Sequence, residues 1–177
     1  INKGFPPFHE PGLEELLKEA VSKGRLKCLT GREEAVLNTN MTFIAVGTPS
    51  QRDGSINLNY INESAQEIGK ALSKKRSYHL IVVKSTVVPG TTQKIIKPLL
   101  EEHSNRKCGE DFGLCMNPEF LREGSAIYDT FHPDRIVIGE YDKKSGDILQ
   151  SLFEEFYGEA TPPCLLYTSP SPRDRQK

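Results

Sequence analysis

Apolar residues recur along this chain at two spacings, and the two alternate. Leu13, Leu16, Leu17, Ala20 and Val21 lie three and four residues apart, the stripe of one helix face, and Gly24 is placed to end that helix. Residues 26–29 make a short strand candidate. Thr30 with Glu33 forms a capping box for a short helix through Leu37. Residues 41–46 are almost continuously apolar, as expected of a strand buried on both faces. A loop then runs from Gly47 to Ile56 with a turn at Asp53-Gly54. Asn57 is placed to cap a helix that carries Leu58, Ile61, Ala65, Ile68 and Leu72 on one face. A second buried strand follows at residues 80–83. Residues 91–102 are helical with a disturbance at Pro98, 112–116 end a strand, 135–138 form another, and 145–157 are a helix.

Strand and helix alternating in this way predict an α/β fold built from parallel βαβ units with right-handed crossovers. Such a doubly wound, Rossmann-like sheet usually opens with a strand, a Gly-x-Gly-x-x-Gly turn and a helix. Gly4 and Gly12 are the only glycines before residue 20. The expectation is therefore an incomplete doubly wound parallel sheet lacking its first strand and glycine-rich turn. From residue 164 the chain turns rich in Ser, Pro and charge and loses periodicity, so 164–177 is expected to be a non-native or disordered tail.

Composition narrows the function. With 36% apolar and 27% charged residues and a net charge of −1, the chain suits a soluble globular domain and gives no electrostatic case for nucleic acid. No apolar run approaches the roughly 18 residues of a membrane span, and no leader pattern stands at Ile1. Cys28, Cys108, Cys115 and Cys164 lack metal-ligand spacing, which fits reduced thiols in a cytoplasmic setting. The scattered His9, His79, His103 and His132 give no metal site.

The stretch Asn117-Pro118-Glu119-Phe120-Leu121-Arg122-Glu123-Gly124 concentrates the candidate chemistry. Asn117 suits an N-cap and Pro118 a first helical position, which would set Glu119 and Glu123 on one face of a short helix at a strand's end. Open α/β sheets place ligands at that kind of junction. Val46, Gly47, Thr48, Pro49 and Ser50 follow one strand and Ser85, Thr86 and Val87 the next. In a parallel sheet both loops share a rim with Asn117.

Taken with Glu10-Pro11-Gly12-Leu13, Lys84-Ser85-Thr86-Val87-Val88-Pro89-Gly90-Thr91 and His132-Pro133-Asp134-Arg135, these stretches resemble the UDP-glucose/GDP-mannose dehydrogenase family over residues 1–163. The resemblance makes that span a partial NAD-binding domain. It implies that Val46, Gly47, Thr48, Pro49, Ser50, Ser85, Thr86, Val87 and Glu123 face NAD. Glu119 would be the acid/base with Thr86 helping to order water, and Glu119, Phe120, Leu121, Arg122 and Glu123 would touch the nucleotide sugar. Lys84 is expected to be structural. The family oxidises a sugar C6 alcohol to a carboxylate through a cysteine thioester, and none of the four cysteines here matches its nucleophile. The Phe131–Arg135 run leans the substrate toward UDP-glucose, with other UDP- or GDP-sugars, or a non-catalytic nucleotide-binding module, as alternatives. A homo-oligomer is implied, its dimer-forming region absent from this stretch.

Overall fold

The computed structural model describes residues 1–158 and the backbone of Cys164–Thr168. The chain divides into two compact units. The larger comprises residues 31–119 and 135 onward, the smaller residues 1–30 and 120–134.

The larger unit is an α/β sheet. In chain order it holds α2 (Arg32–Leu37), β1 (Met41–Ile44), α3 (Asn59–Lys74), β2 (Leu80–Val83), α4 (Lys97–Ser104), β3 (Gly113–Met116), β4 (Ile136–Glu140), α6 (Lys143–Tyr157) and β5 (Cys164–Thr168). The strands lie side by side in the order β1-β2-β3-β4-β5. β1, β2 and β3 are parallel, with Ile44 beside Val83 and Val83 beside Met116. β4 runs antiparallel to β3, and β5 parallel to β4. The sheet is thus Rossmann-like but mixed, which corrects the expectation of parallel units throughout. After β3 no helix of the larger unit carries the chain back along the sheet, so β4 starts at the rim where β3 ends. Cys164–Thr168, grouped with the tail on composition, form β5; residues 169–177 lie outside the described residues.

β2 shows why its apolar residues are continuous. Ile81 and Val83 join a core cluster with Val36, Ile61, Ala65, Leu72, Ile96 and Leu100, while Leu80 and Val82 join Cys115, Ile136, Ile138 and Leu149 on the opposite face. Both faces are covered by helices, so the side chains of both faces, all four in the strand, are buried. β1 differs. It pairs only with β2 among the described residues, and Phe43 is 41% exposed, so the expected burial on both faces is not met. Its regular part ends at Ile44, two residues short of Val46.

α3 is the helix that the apolar spacing predicts, burying Ile61, Ala65, Ile68 and Leu72. Asn57 Oδ1 accepts from the Asn59 amide at 2.9 Å, a local turn just ahead of it. Gly69 sits where α3 meets α4: a Cβ there would stand 2.8 Å from His103 Cβ and 3.2 Å from the Leu100 carbonyl. α4 is preceded by a π-helical turn, Thr92–Ile96, in which the Lys97 amide donates to the Thr92 carbonyl five residues back. Pro98, lacking an N–H and carrying a ring that crowds the carbonyl four residues earlier, supplies a reason for the wider turn. At α2 the capping box does not form. Gly31 stands at the N-cap without a side-chain bond. The helix's C-terminal end is instead held by Lys75, whose Nζ donates to the carbonyls of Val36, Leu37 and Thr39 at 2.9, 2.9 and 2.6 Å.

The smaller unit contains α1 (Leu13–Ser22) and α5 (Ala126–Phe131). Gly24, at φ +66°, follows α1 with its amide on the Val21 carbonyl, the left-handed close that the sequence predicts. Residues 26–29 are not a strand. Asn2 holds this stretch, its side chain bonding both the amide and the carbonyl of Cys28, at 2.7 and 2.8 Å.

Candidate functional site

Because β1, β2 and β3 are parallel, the loops that leave them emerge on one rim of the larger unit. Within it the first two loops are laced together. The amides of Lys84 and Ser85 donate to the Ile44 carbonyl at 2.8 and 3.0 Å. Ser85 Oγ donates to the Val46 carbonyl at 2.7 Å, and Thr48 Oγ1 to the Thr86 carbonyl at 2.9 Å. Ser85 is buried, so its hydroxyl serves the loop junction. Val46 and Val87 pack against the core beneath. Gly47, Pro49, Ser50 and Thr86 are exposed. A Cβ at Gly47 would meet no atom within 4 Å, so the backbone there lies open to a close-approaching group. The chain from Pro49 to Asn57 folds back on itself, with Ser50 bridged to Ile56 and the Asn57 amide on the Pro49 carbonyl at 2.9 Å.

The third exit, from β3, is pinned by Asn117, which is buried. Its amide donates to the Val83 carbonyl at 2.9 Å, and its Nδ2 to the Val137 carbonyl at 2.8 Å. Its Oδ1 accepts from Lys84 Nζ at 2.9 Å. One residue, through its amide and its side chain, therefore ties the end of β3 to both neighbouring strands. Burial pulls the Lys84 ammonium below the usual lysine range, and the Glu119 carboxylate nearby opposes that pull. Glu119 itself is exposed, two residues beyond the pin.

This arrangement overturns the helix expected at residues 117–124. Asn117 spends its side chain on Lys84 and Val137 and cannot cap, and the segment has no regular structure until α5 begins at Ala126. Glu119 and Glu123 are therefore not paired on one helix face; they fall in different units.

In the smaller unit Phe120, Leu121, Arg122 and Glu123 are all exposed. The Arg122 guanidinium grips Asp129 with two bonds, Nε to Oδ2 at 3.0 Å and Nη2 to Oδ1 at 2.6 Å, and the Arg122 amide adds a third to Oδ2 at 3.0 Å. The Glu10 carboxylate accepts from the Gly124 amide at 2.9 Å and the Ala126 amide at 2.7 Å. The Arg122 pairing holds the Asp129 carboxyl below its usual range. Sequence reasoning missed the roles of Asp129 and Glu10. Glu10 stood in a conspicuous Glu-Pro-Gly-Leu run, but a carboxylate serving amides more than a hundred residues away leaves no local pattern. Lys84, expected to be structural, does hold structure, through Asn117.

Comparison with known proteins agrees with this layout. The NAD binding domain of the UDP-glucose/GDP-mannose dehydrogenase family matches residues 1–157. GDP-mannose 6-dehydrogenase of Pseudomonas savastanoi pv. phaseolicola is 51% identical over 155 residues, covering 88% of this chain and 35% of that protein. UDP-glucose 6-dehydrogenase of Haloferax volcanii is 42% identical over 168 residues, covering 95% of this chain and 39% of that protein. The crystal structure of a ternary complex of GDP-mannose dehydrogenase from Pseudomonas aeruginosa superposes with a TM-score of 0.89 at 46% identity, over 94% of this chain and 37% of the other. The chain thus spans little more than a third of the length of these relatives. With this match over most of its length and the same fold beneath it, the chain belongs to the UDP-glucose/GDP-mannose dehydrogenase family, its residues 1–157 matching the family's NAD binding domain.

Proposed function

We propose that this domain serves an NAD-dependent dehydrogenase that oxidises the C6 alcohol of a nucleotide sugar to the carboxylate. The observation that carries the reading is the laced rim: two loops cross-tied by Ser85 and Thr48, with Gly47 open between them, beside a strand exit that delivers Glu119. NAD, when bound, supplies the hydride acceptor. Gly47 fits that group by leaving its backbone accessible, and Val46, Thr48, Pro49, Ser50, Ser85, Thr86, Val87 and Glu123 are assigned to its surroundings. Glu119 is assigned the proton transfers, with the exposed Thr86 hydroxyl ordering water, and Phe120, Leu121, Arg122 and Glu123 face the sugar nucleotide. A carboxylate and a hydroxyl are together suited to hold and deprotonate a water molecule. Neither Cys108 nor Cys115 is offered as the nucleophile: burial pushes each thiol up to about 12, leaving almost no thiolate.

Relatives from Pseudomonas and Azotobacter at 47–51% identity act on GDP-mannose, whereas the UDP-glucose enzymes match at 42–44%. This shifts the substrate from the UDP-glucose expected of the Phe131–Arg135 run toward GDP-mannose. In a full-length enzyme carrying this domain, kcat/KM should be higher for GDP-mannose than for UDP-glucose. Glu119→Gln should lower kcat by roughly 10²–10⁴-fold, the usual effect of removing an acid/base. A preference for UDP-glucose overturns the sugar assignment alone; near-native turnover in Glu119→Gln overturns the site.

A further inference from the structure

Within the smaller unit the segment that the proposed function turns toward the nucleotide sugar has no helix or sheet ladder to shape it. Residues 120–125 are irregular, and Gly124 stands at φ +81°. Two carboxylates replace the ladder. Asp129 takes both the amide and the guanidinium of Arg122, so one side chain fixes that residue's backbone and its side chain together. Glu10 takes the amides of Gly124 and Ala126, capping α5 where Ser125, the residue in N-cap position, makes no side-chain cap. The Nε–Nη2 edge of Arg122 is the edge that a phosphate or carboxylate would also demand in a two-bond grip. Here Asp129 holds it.

We propose, resting on that reading of the site, that Asp129 and Glu10 are positioning residues for the 120–125 segment, and that Arg122 acts through Asp129 and not on a substrate phosphate. Arg122 and Asp129 then form one functional unit. Losing either member frees the same stretch of backbone, and losing both frees nothing more.

The test is a double-mutant cycle in a full-length enzyme carrying the domain, with Arg122→Gln, Asp129→Asn and the double variant assayed by initial rates while the nucleotide sugar is varied. Each single variant should raise the nucleotide-sugar KM by a similar factor, up to roughly 100-fold for a displaced contact segment, with a smaller change in kcat. The double variant should be no worse than either single. Arg122→Lys, which keeps the charge and loses the fork, should behave like Arg122→Gln. Glu10→Gln should raise the same KM independently. An Asp129→Asn enzyme with native KM beside an impaired Arg122→Gln enzyme, or factors that multiply in the double variant, would overturn the proposal and make Arg122 a direct ligand. Should Asp129→Asn fail to fold, Asp129→Ser, which also removes the carboxylate that holds Arg122, carries the same comparison. Glu119→Gln assayed alongside separates the two readings: if it loses turnover while the cycle multiplies, only the positioning proposal falls, and if it retains turnover the site itself is misassigned.

Discussion

His79 is fully buried, and its two ring nitrogens are assignable from their partners. Nδ1 lies 3.0 Å from the Thr39 carbonyl, which can only accept, so Nδ1 carries the proton. Nε2, 2.8 Å from Thr42 Oγ1, then accepts from that hydroxyl. Burial, with Lys75 and Arg106 opposing a second positive charge, brings the imidazole down to about 4 from an ordinary 6.5. The sign follows from that depression. Above 6.5 the ring is neutral folded or unfolded, and the fold keeps its full stability. As pH falls from 6.5 toward 4 the unfolded chain takes up a proton that the folded one refuses, and stability is lost, by on the order of 3 kcal/mol once below both values. His79→Gln should flatten the urea midpoint between pH 7 and pH 4.5 relative to the wild type. An unchanged slope would place the acid sensitivity elsewhere. None of this could be read from the sequence, where His79 is one isolated histidine before an apolar run; its burial comes from the pairing of β1 with β2.

Elements were legible where burial is periodic. α3 follows from its spacing of three and four, and β2 from an unbroken apolar run that matches cover on both faces of the sheet. What failed depended on where a polar side chain finds its partner. Asn117 suits a cap because Asn followed by Pro is a good local start, yet Lys84 and the Val137 carbonyl, brought in by adjacent strands, outcompete the local amides. Thr30 and Glu33 likewise match a capping box that the structure does not make. The antiparallel turn of β4 was invisible because strand direction leaves no mark on an apolar pattern. The site was legible as sequence stretches, but its cross-ties were not. Gly69 belongs at this scale too. The α3–α4 contact requires its missing side chain, so Gly69→Ala should gain helix propensity and still lose about 1–3 kcal/mol through overpacking against His103 and the Leu100 carbonyl. Chemical denaturation checks this; a stabilised variant would mean that α4 yields.

At the scale of the sheet, β1 is an edge strand. Its pairing groups face a partner on one side among the described residues, and Phe43 on it is exposed. An apolar open edge is a template for further strand pairing. The chain expressed by itself should therefore associate with rising concentration, and Phe43→Lys should shift it toward monomer in sedimentation or light scattering. Equal association by both forms would exonerate the edge.

The π-helical turn before α4 has a consequence for how this domain tolerates change in length. A five-residue hydrogen-bonded step holds one residue more than an α-helical step, so Thr92–Ile96 is in effect a single-residue insertion absorbed without breaking the helix. Everything after it is rotated by about 100° relative to an uninterrupted α-helix. The offset sets the face that the following helix presents, with Leu100 in the core and His103 against Gly69. The segment thus works as a phase adjuster. Removing one residue from it would leave a perfectly good helix facing the wrong way, while removal of one from an exposed loop would be absorbed locally.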